Sequence, residues 1–199
     1  MDSVLAEHEL DYETAVNRLP YTTAAIKESL RLQPSVPVDF KTAVEDTVLP
    51  HGKVRVPKGM IVMYMPYVMG RMPSIWGEGA ATWRPERWLA PGFRPTAYEY
   101  PVFNVGAAAC FRMWGVLILM LLRRRCVCVC GCCVDAFPSQ AGPRTCLGQN
   151  MALLEATIAI ATLFRSLSFE LRSTNVTYQP SVTLPIRHGL QVVASARQS

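Results

Sequence analysis

Residues 141–148 read A-G-P-R-T-C-L-G and open directly into an apolar helix running from Gln149 to Phe164. A cysteine held in a Gly-Pro-Arg loop at the head of a helix suits a thiolate metal ligand. Gly142 and Gly148 let the backbone approach a large flat cofactor where a Cβ would collide. Arg144 offers a planar fork of donors to a carboxylate. The positive end of the helix points at Cys146 and favours the deprotonated sulfur. A buried structural cysteine is the commoner reading of a lone Cys; the two glycines and the arginine tilt the balance towards a ligand.

Two further segments narrow the reading. K-E-S-L-R at 27–31 sets Glu28 and Arg31 three apart on one helix face, and W-R-P-E-R-W follows at 83–88. A lone E-x-x-R says almost nothing, since i,i+3 ion pairs occur on any polar helix and are worth a few tenths of a kcal/mol. All three segments in this order are specific. Together they resemble the C-terminal portion of a cytochrome P450, with Glu28 and Arg31 as its E-x-x-R and Pro85-Glu86-Arg87 as its P-E-R. Its F-x-x-G-x-R-x-C-x-G loop ends at Gly148.

The resemblance implies a mainly α fold with small antiparallel β-sheets (α+β), the C-terminal part of the cytochrome P450 fold. It implies haem b, with Cys146 as axial ligand to the iron, Arg144 reaching a propionate, and Phe103, Gly142 and Gly148 shaping the loop. Glu28, Arg31 and Arg87 would converge and clamp the meander that carries this loop. Val36, Val38 and Phe40 are candidates to line the substrate pocket, set at even odds against an ordinary core strand. The implied activity is insertion of one oxygen from O2 into a C–H bond, with electrons from an NADPH-dependent cytochrome P450 reductase. P-S-V-P-V-D-F-K, M-G-R-M-P-S-I-W-G and N-M-A-L-L-E look like the fatty-acid and alkane ω-hydroxylases of plants and microbial eukaryotes, which points to a long-chain fatty acid. The implied location is the cytosolic face of the endoplasmic reticulum membrane.

Neither the family's oxygen-activating helix nor its N-terminal membrane anchor is recognisable here, so no catalytic residue is assigned. The competing reading is a non-catalytic truncated or pseudogene product; a third is a binding module whose Cys-rich stretch holds metal or membrane.

The stretch in question is an interruption. Family members carry F-N-A-G-P-R-T-C as one run, whereas here 36 residues, 105–140, separate Phe103-Asn104 from Ala141-Gly142. Removing them restores the run. Valine codons begin GT and one glutamine codon is CAG, so Val105 and Gln140 are what an in-frame translated intron leaves at its ends. Such an insertion is expected to have no packed place in the fold, and to cost Cys146 its tether to Phe103-Asn104. The product would then hold haem weakly or not at all. Cys110 imitates the ligand spacing, but Ala108 stands where the arginine belongs and Arg112 where the second glycine belongs. Met113–Leu122 is about half the length of a membrane-spanning helix, and Cys130/Cys133 lacks a second pair or a histidine for zinc.

Composition agrees with a globular domain: 199 residues, half of them hydrophobic and 18% charged. The net charge of +5 is mild, and scattered arginines give no sign of nucleic-acid binding. Of seven cysteines, six fall in the run 110–133, an unsuitable pattern for a disulfide framework.

Along the chain the pattern predicts a polar helix and turn over 1–19 and a helix from Pro20 to about Leu32. Extended chain over 34–40 leads to a hairpin around the P-H-G-K turn, then a strand from Ile61. A short helix over 69–76 and an irregular meander from Trp83 follow. The tail reads as strands over 168–172 and 181–194, with a turn near Pro180 that the resemblance directs towards substrate.

Overall fold

Proline at the first turn of a helix loses no hydrogen bond, and a proline ahead bars its continuation. Both rules act on the central helix, Pro20–Leu32, which stops short of Pro34. The computed structural model describes residues 10–49, 54–103, 146, 148–173, 175–179 and 181–197, together with the backbone of 126–128. The chain divides into two compact units. One comprises Met1–Leu30, Trp83–Arg94 and Gly148–Ser199; the other comprises Arg31–Thr82 and Pro95–Leu147.

In the first unit, α1 spans Tyr12–Asn17 and is capped by Asp11, whose carboxylate accepts from the Thr14 N–H at 2.8 Å. The helix Pro20–Leu32 is α2, and all but its last two residues belong here. Pro85–Leu89 forms a 3-10 turn within the meander. Helix α5 spans Gln149–Ser166 and packs against α1, with Leu19 and Ala161 buried together beside Leu10. It runs straight into strand β6, Leu167–Leu171, which pairs antiparallel with β7, Val192–Ala196, in the register Leu167↔Ala196 to Leu171↔Val192. Arg197 closes this end, its Nη1 donating to the Phe164 carbonyl at 2.8 Å.

In the second unit, β1 (Asp39–Thr42) pairs antiparallel with β4 (Ile61–Tyr64), putting Asp39 opposite Tyr64. A smaller hairpin joins β2 (Thr47–Val48) to β3 (Arg55–Val56), and Val56 is buried. Asp46 ties its base: the Lys58 N–H and the Arg55 guanidinium each bond the carboxylate at 2.8 Å, holding its pKa below the ordinary value. Two one-turn helices follow, α3 (Pro66–Met69) and α4 (Pro73–Trp76), then a 3-10 turn at Pro101–Phe103. Trp76 is buried edge-on to Tyr100 and donates to the Met69 carbonyl at 3.0 Å.

Three expectations need correction. The single helix over 69–76 is two short ones, because the chain turns after Gly70 and restarts at Pro73. The strand expected over 181–194 begins only at Val192. Upstream, Pro185 lacks a ladder donor and Gly189 has φ +68, leaving one isolated bridge, Tyr178↔Ile186. The third concerns 105–140, which does have one place in the fold: β5, Cys126–Cys128, adds to the other edge of β4 as a parallel strand, Ile61↔Cys126 to Met63↔Cys128. The remainder of that stretch, with Ala108, Cys110, Arg112, Cys130 and Cys133, lies outside the described residues, as do the turn 50–53 and Pro180.

Candidate functional site

Cys146 is a free, half-buried thiol. Its backbone N–H donates to the carbonyl of Phe103 at 3.0 Å, although 42 residues separate the two in sequence. The expected loss of the tether is therefore corrected: the backbone bond joins the two ends of the loop across the insertion. Phe103 ends the 3-10 turn begun by Pro101, and Pro101 and Val102 are buried, so the anchor itself is fixed. Gly148 is the N-cap residue of α5, at φ −83. Arg144 and Gly142 lie outside the described residues.

The second constellation centres on Glu28, which has no exposed surface. Its Oε1 accepts from the Arg87 Nε at 3.0 Å and from the Arg84 backbone N–H at 2.8 Å. Its Oε2 accepts from the Trp88 indole at 2.9 Å. Arg87 is also buried, so this is a desolvated ion pair whose oxygens are met by further donors, the condition under which such a pair is tolerated. Trp88 lies edge-on to Phe93 with centroids 5.6 Å apart, and the Trp83 indole donates to Ser29 Oγ at 3.1 Å. At the exposed margin Tyr21 donates to Glu86 at 3.1 Å. That bond pushes the phenol pKa above its ordinary value. Together these contacts fasten the meander to α2.

Arg31, one turn after Glu28 and fully buried, has a role that i,i+3 spacing did not suggest. Its guanidinium donates to the carbonyls of Gly70, Ala80 (2.5 Å) and Thr82 (3.1 Å), and lies 4.9 Å from the Trp76 ring centroid. Three carbonyls from one loop are thereby satisfied by one side chain. The approach is close enough that a Cβ on Gly70 would stand 2.1 Å from the Arg31 carbonyl oxygen.

Sequence reasoning also passed over Asp39. Its buried carboxylate accepts from the Phe40 N–H (2.7 Å), Lys41 Nζ (3.1 Å) and the Tyr64 hydroxyl. The available signal was the D-x-K spacing, which puts both side chains on one face of a strand; Tyr64 is visible only once the register is known. Val36, Val38 and Phe40, the pocket candidates, are half-buried in and beside β1. No cluster of three metal-ligating side chains occurs among the described residues.

The family model described as Cytochrome P450 matches residues 1–111. That is more than half the chain and includes both the E-x-x-R helix and the P-E-R turn. The chain belongs to the cytochrome P450 family.

Family relatives extend the likeness past the insertion. Cytochrome P450 704B1 of Arabidopsis thaliana is 36% identical over 189 residues, covering 94% of this chain. Cytochrome P450 52A3-A of Candida maltosa is 33% identical over 198 residues and covers 95%. The alkane hydroxylase MAH1 of Arabidopsis thaliana is 30% identical over 186 residues and covers 92%. Coverage this high has to include residues on both sides of 105–140. The chain spans less than a third of the length of these relatives, 29%, 31% and 30% respectively. Helices with small antiparallel sheets fit an α+β piece of the family fold. No helix among the described residues is long and apolar enough to cross a membrane.

Proposed function

We propose that this chain is the thiolate-bearing part of a haem monooxygenase that inserts one oxygen atom from O2 into a C–H bond of a lipophilic substrate. A long-chain fatty acid hydroxylated at its ω end is the substrate class, supported by likeness to a protein named an alkane hydroxylase. The observation that carries the reading is the Cys146 N–H bond to Phe103, which restrains the backbone of the one half-buried free thiol among the described residues. A free thiol with a restrained backbone fits the donor an axial iron ligand requires. Cys146 would hold the iron, and Arg144, Gly142 and Gly148 would form the rest of the loop. When bound, thiolate-ligated haem supplies the cleavage of dioxygen. The chain's own residues position: Glu28 and Arg87 fix the meander, Arg31 fixes the loop at 70–82, and Phe103 restrains the ligand. Electrons would come from NADPH through a reductase at the endoplasmic reticulum membrane, as the family resemblance implies.

We also infer that residues 105–140 are an insertion into the Cys loop, of translated-intron origin. The rejoined F-N-A-G-P-R-T-C run supports this, as does the backbone bond joining Phe103 to Cys146. The β5 strand is the contrary feature, and sequencing the transcript separates the two readings. The second functional reading, a product that does not catalyse alone, draws on the share of its relatives that the chain spans.

The test is the carbon-monoxide difference spectrum of reduced, haem-supplied protein, for the full chain and for the form lacking 105–140. A thiolate-type Soret band lost on Cys146→Ala is expected, and in the full chain, which has Cys110, a band retained on Cys110→Ala. A band that survives Cys146→Ala contradicts the ligand assignment, and no band from either form favours the non-catalytic reading.

A further inference from the structure

Strand β4 is paired on both sides. Antiparallel β1 lies along one edge, and the backbone of β5, Cys126–Cys128, lies parallel along the other, with Val127 opposite Val62. Residues 65–125 separate the two strands in sequence, ample for the crossover that parallel pairing demands. Which groups of β4 face β5 follows from the bonding on the β1 side. The Met60 carbonyl accepts from the Ala43 N–H at 2.9 Å, and bonding alternates along an antiparallel strand. Val62 and Tyr64 therefore turn their backbone groups to β1, while Ile61 and Met63 turn theirs to the edge that β5 covers. Strand edges are commonly guarded by charge or proline. β1 carries Asp39 and Lys41, whereas 61–65 reads I-V-M-Y-M, uncharged, without proline or glycine and rich in strand-forming residues.

We infer that the β5 edge of β4 is a strand-acceptor surface which the insertion keeps closed, and whose occupant, once β5 is removed, is β4 of a second copy of this chain. The chemistry selects a like partner. Two copies of I-V-M-Y-M bring no charges into opposition. A two-fold axis through Val62 sets Ile61 of one copy opposite Met63 of the other, and these are the residues whose backbone groups face outward. Each outward N–H and C=O then finds a partner, and the contact closes as a dimer. Identical, uncharged, strand-forming segments are the ones that pair edge to edge when nothing covers them. The inference rests on the β4–β5 ladder and does not depend on whether Cys146 binds haem. It also gives 105–140 a consequence whatever its origin: the chain that contains it has a covered edge, and the form without it an open one.

The experiment compares the full chain, the full chain with Val127→Pro, and the form lacking 105–140. Proline in the middle of β5 breaks that strand and leaves β1 and β4 unaltered. Sedimentation velocity over a concentration series reads dimerisation, and hydrogen exchange is measured where each protein is monomeric. Both altered forms are expected to dimerise at least about tenfold more tightly than the full chain. Their peptide covering 60–65 is expected to exchange at least about tenfold faster in the monomer, because the outward amides have lost their partners. Adding Met63→Pro to either altered form is expected to abolish the gain in dimerisation, since proline is tolerated on an edge strand where its missing N–H faces outward. Met63→Lys, which sets like charges near the two-fold, is expected to do the same without altering the backbone. Unchanged exchange at 60–65 on Val127→Pro overturns the inference, because β5 then covers no edge. Unchanged dimerisation also overturns it, as does dimerisation that survives both Met63 substitutions, which places the contact elsewhere. Altered forms that stay monomeric but bind a synthetic peptide of residues 124–131 would assign the edge to a foreign strand and likewise overturn it.

Discussion

Around Glu28 each oxygen of a fully buried carboxylate meets a donor drawn from the meander, whereas α5 and the β6–β7 hairpin, in the same unit, leave apolar side chains in water. The first region closes on itself. Among the described residues its partners include Glu28 and Ser29 on α2 and residues 83–88 of the meander. The second is less covered: the charge-poor helix leaves many positions exposed, and on the ribbon Leu167 and Phe169 are half-buried, the latter against Phe164, while all of β7 is exposed. The lesson is that local completeness differs within one compact unit. Buried polar groups had to find partners in this chain, because an unpaired one is costly, while apolar groups left exposed cost only the burial they forgo.

The comparison breaks most visibly at Glu28. Replacing it by alanine removes the carboxylate that the buried Arg87 guanidinium pairs with, and destabilisation of about 3–5 kcal/mol is expected, a large share of the stability of an ordinary chain. Guanidinium denaturation followed by circular dichroism measures it. Loss of less than about 1 kcal/mol would mean that water reaches the pair.

Next in size is Gly70→Ala in the second unit, where the new methyl would collide with the Arg31 backbone oxygen. The chain has to shift, at a cost of about 1–3 kcal/mol, and Gly70→Ser is expected to be at least as damaging. The midpoint of thermal unfolding reports it.

Trp88→Phe sharpens the contrast further, because it keeps an aromatic ring beside Phe93 and removes only the indole donor to Glu28 Oε2. A hydrogen bond to a charged group of this kind is worth about 1.5–3 kcal/mol, and leucine in place of phenylalanine adds the loss of ring packing. Smallest of all are changes on the open face: Leu163→Lys in the chain alone is expected to stay within about 0.5 kcal/mol of the parent.

Much of this was legible in residue order. Pro20 and Pro34 bracket α2, the apolar run from Gln149 marks α5, and P-E-R-W contains Arg87 and Trp88, both donors to Glu28. What was not legible depends on groups that all residues share. Arg31 bonds to backbone carbonyls, which leave no trace in side-chain identity, and the Asp39–Tyr64 contact follows from a register set across 25 positions. The tail was misread because alternation in 181–191 outweighed Pro185 and Gly189. At the Cys loop the sequence discontinuity was plain, but a backbone hydrogen bond between its ends is invisible until the chain is folded.

Hydrogen exchange of the 199-residue chain, followed by mass spectrometry, tests the contrast most directly. In the chain alone, peptides covering 20–32 and 83–90 are expected to exchange slowly, close to the rate set by global unfolding, and those covering 149–171 and 191–197 much faster through local opening. Equal protection of both regions, or faster exchange around Glu28 than along α5, would contradict the division into a tightly bonded region and an open one.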